Sequence, residues 1–387
     1  MRDADIIIIG AGTVGAAIGY GLALRGRRAL VLDGADTDFR AARANFGLVW
    51  VQGKGKGAPA YQRLTRQSSD LWPGFLEELR HHAGGMRVDF ERRGGLAFCL
   101  GDQEFAQRKS LIAALEAERL ADDPADDPAG FPAADAGDTE MISRADLQGL
   151  VPDLPLGNRV SGASFCASDG HVNPLQLLAA LHAAIRHLGG KIRHGQPVQA
   201  IRPEAGGFAV QTPEGIWRGA QVVIAAGIAS GALGRQVGLA VPIRAQRGQI
   251  LVTQRAAPML PLPCSGLRQT AEGTIMIGAT KEEVGADVSA TIRASAWLAR
   301  KTVEISPALA RLQLVRHWSG LRIMSPDANP VYAQSPDHPG AFIASCHSGV
   351  TLAAVHAARL APHIAAGALP AAYDPFHHRR FDVQTVG

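Results

Sequence analysis

The sequence predicts an α/β protein, α+β overall, in which a parallel, Rossmann-like sheet is interleaved with an antiparallel one. Three stretches carry that prediction. The run Ile6-Ile7-Ile8-Ile9 enters the glycine turn Gly10-Ala11-Gly12-Thr13-Val14-Gly15 and an apolar helix follows. In Gln221-Val222-Val223-Ile224-Ala225-Ala226-Gly227 everything after the glutamine is apolar, as in a strand buried on both faces of a parallel sheet. Between Val241 and Trp318 the pattern changes to short strands of antiparallel type. Parallel elements at both ends and antiparallel elements between them imply two discontinuous units, 1–84, 145–235 and 325–387 against 85–144 and 236–324.

The amino-terminal turn has the spacing of a dinucleotide cradle. Gly10 supplies the tight turn, Gly12 lets the backbone approach a pyrophosphate, and Gly15 lets helix and strand pack closely. The helix start at Thr13 and Val14 directs free N–H groups and a positive dipole end at the phosphates. A second strand, Arg28 to Leu32, ends at Asp33 and Gly34, close to the ~20-residue spacing of an acid that binds ribose hydroxyls.

The next segment, Arg43-Ala44-Asn45-Phe46-Gly47-Leu48-Val49-Trp50-Val51-Gln52-Gly53-Lys54-Gly55, turns at Asn45 and Gly47 and then becomes apolar. Its glycine-rich end has the backbone freedom to wrap a ligand. Pro59 to Leu79 reads as a helix, Val88–Glu91 with Gly95–Leu100 as a hairpin, and Glu104 to Leu120 as a helix. The acidic, proline-rich run from Asp122 through Gly137 reads as an exposed loop. Asn173 and Pro174 cap a helix reaching Leu188. Short strands are expected at 191–193, 198–201, 208–211, 216–218, 250–253, 274–278, 314–318 and 341–345, and a helix over 350–366.

Composition narrows the function classes. Hydrophobic content of 47% and charge of 19% over 387 residues describe a globular chain with a large core. The net charge of +4 is small, and no Lys/Arg run suggests a nucleic-acid groove. No stretch has the ~20 apolar residues of a membrane span. Cys99, Cys166, Cys264 and Cys346 are scattered without metal-ligand spacing, as expected of reduced thiols in a cytoplasmic protein that binds no metal.

The order of these motifs resembles the D-amino-acid oxidase, glycine oxidase and sarcosine oxidase superfamily of FAD proteins over nearly the whole chain. The likeness rests on the amino-terminal turn, Asn45-Phe46-Gly47, Asp169-Gly170-His171-Val172-Asn173-Pro174 and Val222–Gly227. It continues through Arg247-Gly248-Gln249, Ile277-Gly278-Ala279-Thr280-Lys281-Glu282, Trp318-Ser319-Gly320-Leu321-Arg322 and Cys346-His347-Ser348-Gly349. Within the superfamily, Gly47–Gly55 and Cys346–Ala354 look most like the FAD subunits of opine oxidases and D-hydroxyproline dehydrogenases. Three positions depart from the pattern. Asp33 replaces the usual Glu, Ile323 the usual Pro after Arg322, and Cys346-His347 with Thr351 the usual glycine pair around the His.

The resemblance implies non-covalent FAD held by Gly10, Ala11, Gly12, Thr13, Val14, Asp33, Gly34, Arg43, Ala44, Asn45, Gly47, Leu48, Val198, Ala226 and Gly227. Arg322, His347, Ser348, Gly349, Val350 and Thr351 complete that set around the flavin. Arg322 is expected to anchor a substrate carboxylate through its planar fork, with a structural ion pair as its alternative role. His347 and Lys54 join it as candidate catalytic residues, and Trp50, Gln52, Gln249 and His171 as candidate substrate contacts.

The expected activity is oxidation of the C–N bond of a small anionic substrate: a D-amino acid, imino acid, N-substituted amino acid or opine. Oxygen or another acceptor would take the electrons. Two readings stand beside it: a 2-hydroxy-acid dehydrogenase, and an electron-transferring subunit of a heteromeric complex.

Overall fold

The computed structural model describes residues 2–34, 41–122 and 139–382; the acidic stretch 123–137 lies outside them. The largest sheet is built on the amino-terminal strand Ala4–Ile9. It pairs in parallel with Ala29–Leu32 on one side and with Gly215–Ile224 on the other. Lys191–Arg193 extends the sheet beyond Ala29–Leu32. The strand Gly215–Ile224 is long enough to serve two partners along one edge. Its first half pairs antiparallel with Gly207–Thr212, and its apolar second half pairs parallel with Ala341–Ser345. The sequence expected two strands here, 216–218 and 221–227; one ten-residue strand runs through Gly219 instead.

Strand alternation sorts the isoleucines onto two faces. Ile6 and Ile8 face a core shared with the helices Thr13–Ala23, Pro59–His82 and Pro174–His187. Ile7 and Ile9 face a second core with Phe208, Leu233 and Ile343. Both faces are buried from Ile6 to Ile9, which is why that part of the strand is apolar without interruption. The helix Thr13–Ala23 packs closely against the carboxy-terminal helical segment: a Cβ at Gly21 would lie 2.3 Å from the Ala357 carbonyl oxygen. That segment, expected over 350–366, is helical from Ala353 and contains a π turn at His356–Leu360.

The antiparallel sheet has the order Leu267–Gln269, Thr274–Gly278, Arg244–Arg255, Leu314–Met324. A further three-stranded sheet, Gly95–Leu100, Val160–Cys166 and Thr139–Ser143, adjoins it through a bridge between Leu96 and Cys264. The hairpin expected around Arg92–Gly94 does not form. Phe90–Glu91 pairs with Gly170–Val172, whereas Gly95–Leu100 pairs with Val160–Cys166. Leu147, Val151 and Ala163 share one core with Leu251 and Ile275, so a division at residue 145 cuts through a continuous packing unit.

Candidate functional site

A cavity of about 1090 Å³ runs from the carboxyl ends of the parallel strands to the antiparallel sheet. One end of it is the glycine turn, and the three glycines do three different things. Gly10 has φ +105, and a Cβ there would meet the Ala225 carbonyl oxygen at 2.4 Å. A Cβ at Gly15 would lie 1.9 Å from the Gly10 oxygen, so strand and helix can close only without one. At Gly12 a Cβ would meet nothing within 4 Å: that face opens on the cavity.

The helix that starts there has no side-chain cap and no acid in its first turn. The Thr13 hydroxyl is buried without a hydrogen-bond partner among the described residues. Uncapped N–H donors, an orphaned hydroxyl and an open glycine face fit a pyrophosphate. Asp33 closes this end. Its Oδ1 accepts from the Ala11 N–H at 3.1 Å, and its Oδ2 lies 3.6 Å from His194 Nδ1. Ala11 is thus a brace for Asp33 rather than a wall of the cavity.

Gly34, Ala44, Asn45, Leu48, Val198, Ala226 and Gly227 line the middle of the cavity. Asn45 Oδ1 accepts from the Gly47 N–H at 2.7 Å, fixing the turn. Gly47 itself is packed on the Val172 carbonyl, and neither it nor Arg43 lines the cavity.

The far end is formed where the buried strand Ala341–Ser345 runs into the turn Cys346–Leu352. The Thr351 carbonyl accepts from Ser68 Oγ at 2.7 Å and from Trp72 Nε1 at 2.9 Å, both on the helix Pro59–His82. The Thr351 hydroxyl accepts from the Trp50 N–H at 3.1 Å. Two partners on one carbonyl hold the turn so that the Gly349, Val350 and Thr351 N–H groups make no hydrogen bond among the described residues. They are donors available to a flavin edge.

Lys54 reaches this turn from the opposite side. Its Nζ donates to Ser348 Oγ at 2.5 Å and approaches Thr351 Oγ1 at 3.4 Å. Ser348 Oγ also accepts from Tyr61 at 2.8 Å. Desolvation pushes the Lys54 pKa down to about 8. His347 presents its ring to the cavity; desolvation and the charges of Lys54, Arg322 and Lys281 push its pKa down to about 3, so it is neutral. Arg322 stands on the strand Leu314–Met324 and faces the cavity. Its Nη1 donates to the Thr280 carbonyl at 2.7 Å, and no hydrogen bond among the described residues uses Nε or Nη2. Arg322 is therefore not locked in an ion pair, the alternative its sequence left open.

Three expected substrate contacts lie elsewhere. The Gln52 amide is consumed internally: Nε2 donates to Gly95 O at 2.9 Å and Asp169 Oδ2 at 2.7 Å, and Oε1 accepts from Arg108 and Ser164. Gln249 is fully buried, bonded to Glu282, Thr291 and His317. His171 contacts Arg268 at 3.2 Å, and burial pushes its pKa down to about 4. Trp50 does line the cavity. Sequence reasoning missed the opposite wall, Trp297 and Lys301 on the helix Ile292–Ile305, which no local motif marks. It also missed Tyr61, whose role depends on a partner 287 positions away.

Known proteins place this site in a family. Residues 5–362 match the FAD dependent oxidoreductase family. The chain is 41% identical over 384 residues to an opine oxidase subunit of Agrobacterium tumefaciens (strain Ach5), covering 99% of each chain. It is 26% identical over 354 residues to the glycine oxidase of Geobacillus kaustophilus (strain HTA426), covering 89% of this chain and 87% of that one. The crystal structure of glycine oxidase from Geobacillus kaustophilus superposes with a TM-score of 0.85 at 21% identity, covering 100% of both chains. Iminodiacetate oxidase from Chelativorans sp. BNC1 superposes with a TM-score of 0.80 at 22% identity, covering 96% of this chain and 98% of that one. The chain belongs to the FAD dependent oxidoreductase family.

Proposed function

We propose that the protein oxidises the C–N bond of a small amino-acid-like substrate, of the D-amino-acid, imino-acid, N-substituted amino-acid or opine type. The observation that carries this is the Arg322 guanidinium facing the cavity with Nε and Nη2 unspent, across from Lys54 and His347. A guanidinium fork takes a carboxylate in two parallel hydrogen bonds, which fixes the α-carbon as well as the charge.

Gly12, Thr13, Asp33 and the turn Ser348–Thr351 are the residues that would hold FAD. When bound there, it supplies a hydride acceptor for the α-carbon. Arg322 binds and orients the carboxylate. Lys54 Nζ, with its pKa near neutrality, takes the proton from the substrate ammonium and leaves the nitrogen lone pair to assist loss of the hydride. Neutral His347 and Trp50 wall the site and exclude water without adding charge. The imine then hydrolyses in solution. The four cysteines are buried and form no disulfide, and Cys346 is pushed up to about 12, which supports non-covalent FAD and a cytoplasmic setting.

A second reading, an electron-transferring component of a heteromer, is favoured by two relatives that are themselves named as subunits, one of opine oxidase and one of hydrogen cyanide synthase. Anaerobic bleaching of the FAD-loaded chain against D-amino acids, imino acids, opines and 2-hydroxy acids tests both. Bleaching by a nitrogen compound supports amine oxidation, and bleaching by hydroxy acids alone overturns it. A bleached chain that passes no electrons to oxygen or a dye supports the heteromer reading. A denatured chain whose intact mass still includes FAD overturns non-covalent binding.

A further inference from the structure

Asp169 is fully buried, and no part of the proposed reaction uses it. Its carboxylate grips the turn that delivers Lys54. Oδ1 accepts from the Val51 N–H at 2.5 Å and the Gln52 N–H at 3.4 Å, and Oδ2 accepts from Gln52 Nε2 at 2.7 Å. The Lys54 N–H closes the same turn on the Val51 carbonyl at 3.3 Å. On the other side, Gln52 Oε1 accepts from Arg108 Nη2 and Ser164 Oγ, each at 2.6 Å. The 51–54 turn is thereby clamped by three elements, the Ser168–Gly170 corner, the helix Asp102–Ala121 and the strand Val160–Cys166.

The charges around Lys54 single out the same residue. Cys346, pushed up to about 12, is a neutral thiol, and burial raises Tyr61 further still. His347 is neutral, while Arg322 and Lys281 across the cavity are cations. Arg66 and Glu116 line a small pocket beyond the turn, and Glu116 is ion-paired with Arg119. Two acidic groups act on Lys54, Cys346 foremost and then Asp169; with Cys346 a neutral thiol, Asp169, its pKa raised by burial to about 6, is the one of the two that is ionised at neutral pH.

We propose that Asp169 is the positioning residue of the site, holding the 51–54 turn so that Lys54 Nζ sits against Ser348, and supplying the negative charge that stabilises its ammonium form. This rests on the reading of Lys54 as the proton acceptor. Gln52, expected at the substrate, thereby acquires a different role, because its amide carries the grip of Asp169 on to Arg108 and Ser164.

The test uses the FAD-loaded full-length protein without substrate and reads the flavin midpoint potential against pH. An ionising group beside the flavin puts a break in that curve, and the break due to Lys54 is the one Lys54→Met removes. In Asp169→Asn, which keeps the shape and loses the charge, the break moves to lower pH by about one unit. Gln52→Met, which removes one donor to Asp169, moves it the same way by less, and decides the matter if Asp169→Asn does not fold. A break that Lys54→Met removes but that stays in place in both other variants overturns the assignment of Asp169 and leaves the role of Lys54 standing. A curve that Lys54→Met does not alter overturns both.

Discussion

The Lys54 ammonium and the Ser348 hydroxyl meet at 2.5 Å although 294 positions of chain separate them. Ser348 thus joins a cation from the amino-terminal third to the turn that also carries His347. With a pKa of about 8, Lys54 is mostly protonated at pH 7 and gains proton-accepting capacity as the pH rises. The rate of flavin reduction at saturating substrate should climb from pH 7 to 9 and then level. Lys54→Met should flatten that climb and lower the rate on the order of 10²-fold, read by anaerobic stopped-flow absorbance.

Arg322→Met should raise the substrate KM by on the order of 10²-fold, about 3 kcal/mol, because a charge-assisted pair is lost. Arg322→Lys should recover only part of this, since an ammonium cannot reproduce the fork. Steady-state kinetics on the bleaching substrate would show it; a KM unchanged in Arg322→Met would place the carboxylate elsewhere.

The glycine turn makes two substitutions in one short stretch behave differently. Gly15→Ala puts a methyl 1.9 Å from the Gly10 oxygen and should lower the Tm of the apoprotein. A Cβ at Gly12 meets no protein atom within 4 Å, so Gly12→Val should leave the apoprotein Tm within a few degrees while abolishing FAD retention on gel filtration. Equal Tm losses in both would show that Gly12 faces protein and not the cofactor.

Asp33→Ala should weaken FAD binding about tenfold or more, read by fluorescence titration of the apoprotein. The substitution removes the carboxylate proposed to hold the ribose and also the acceptor of the Ala11 N–H, so the turn should loosen with it.

His356 is buried in the π turn, its Nε2 2.7 Å from the Tyr332 hydroxyl, and burial pushes its pKa down to about 3. The unfolded chain, with an ordinary histidine pKa near 6.5, binds that proton more readily, so stability falls as pH drops from about 6.5 toward 3. Asp169 works in the opposite sense: its raised pKa favours the folded state as pH falls through about 6. His356→Gln should therefore flatten the decline in Tm between pH 6 and 4, and Asp169→Asn should steepen it, both measured by calorimetry.

Sequence made the geometry of the glycine turn legible because the constraints there are local. Gly10, Gly12, Gly15 and Asp33 are set by spacing along one strand-turn-helix-strand unit, and the structure gives each glycine a separate steric reason. Buried amides were not legible. Gln52 and Gln249 are polar residues each next to a glycine, as ligand contacts often are, yet their partners are Asp169, Arg108, Glu282 and His317, all distant in sequence. The false hairpin has the same origin: Phe90–Glu91 and Gly95–Leu100 both look for strand partners, and find them 60 or more positions downstream. Periodicity reports that a strand exists and is silent on which strand it joins.

The parallel sheet sets the order in which the site can be built. Its founding strand is Ala4–Ile9, but the strand that closes the cavity on the other side of Gly215–Ile224 is Ala341–Ser345, more than 300 residues later in the chain. During synthesis the glycine turn waits for all of that chain to leave the ribosome before the Ser348–Thr351 turn can face it. The nascent protein therefore carries only the glycine-turn end of the cavity through most of its synthesis, and capture of FAD is expected at a late step of folding.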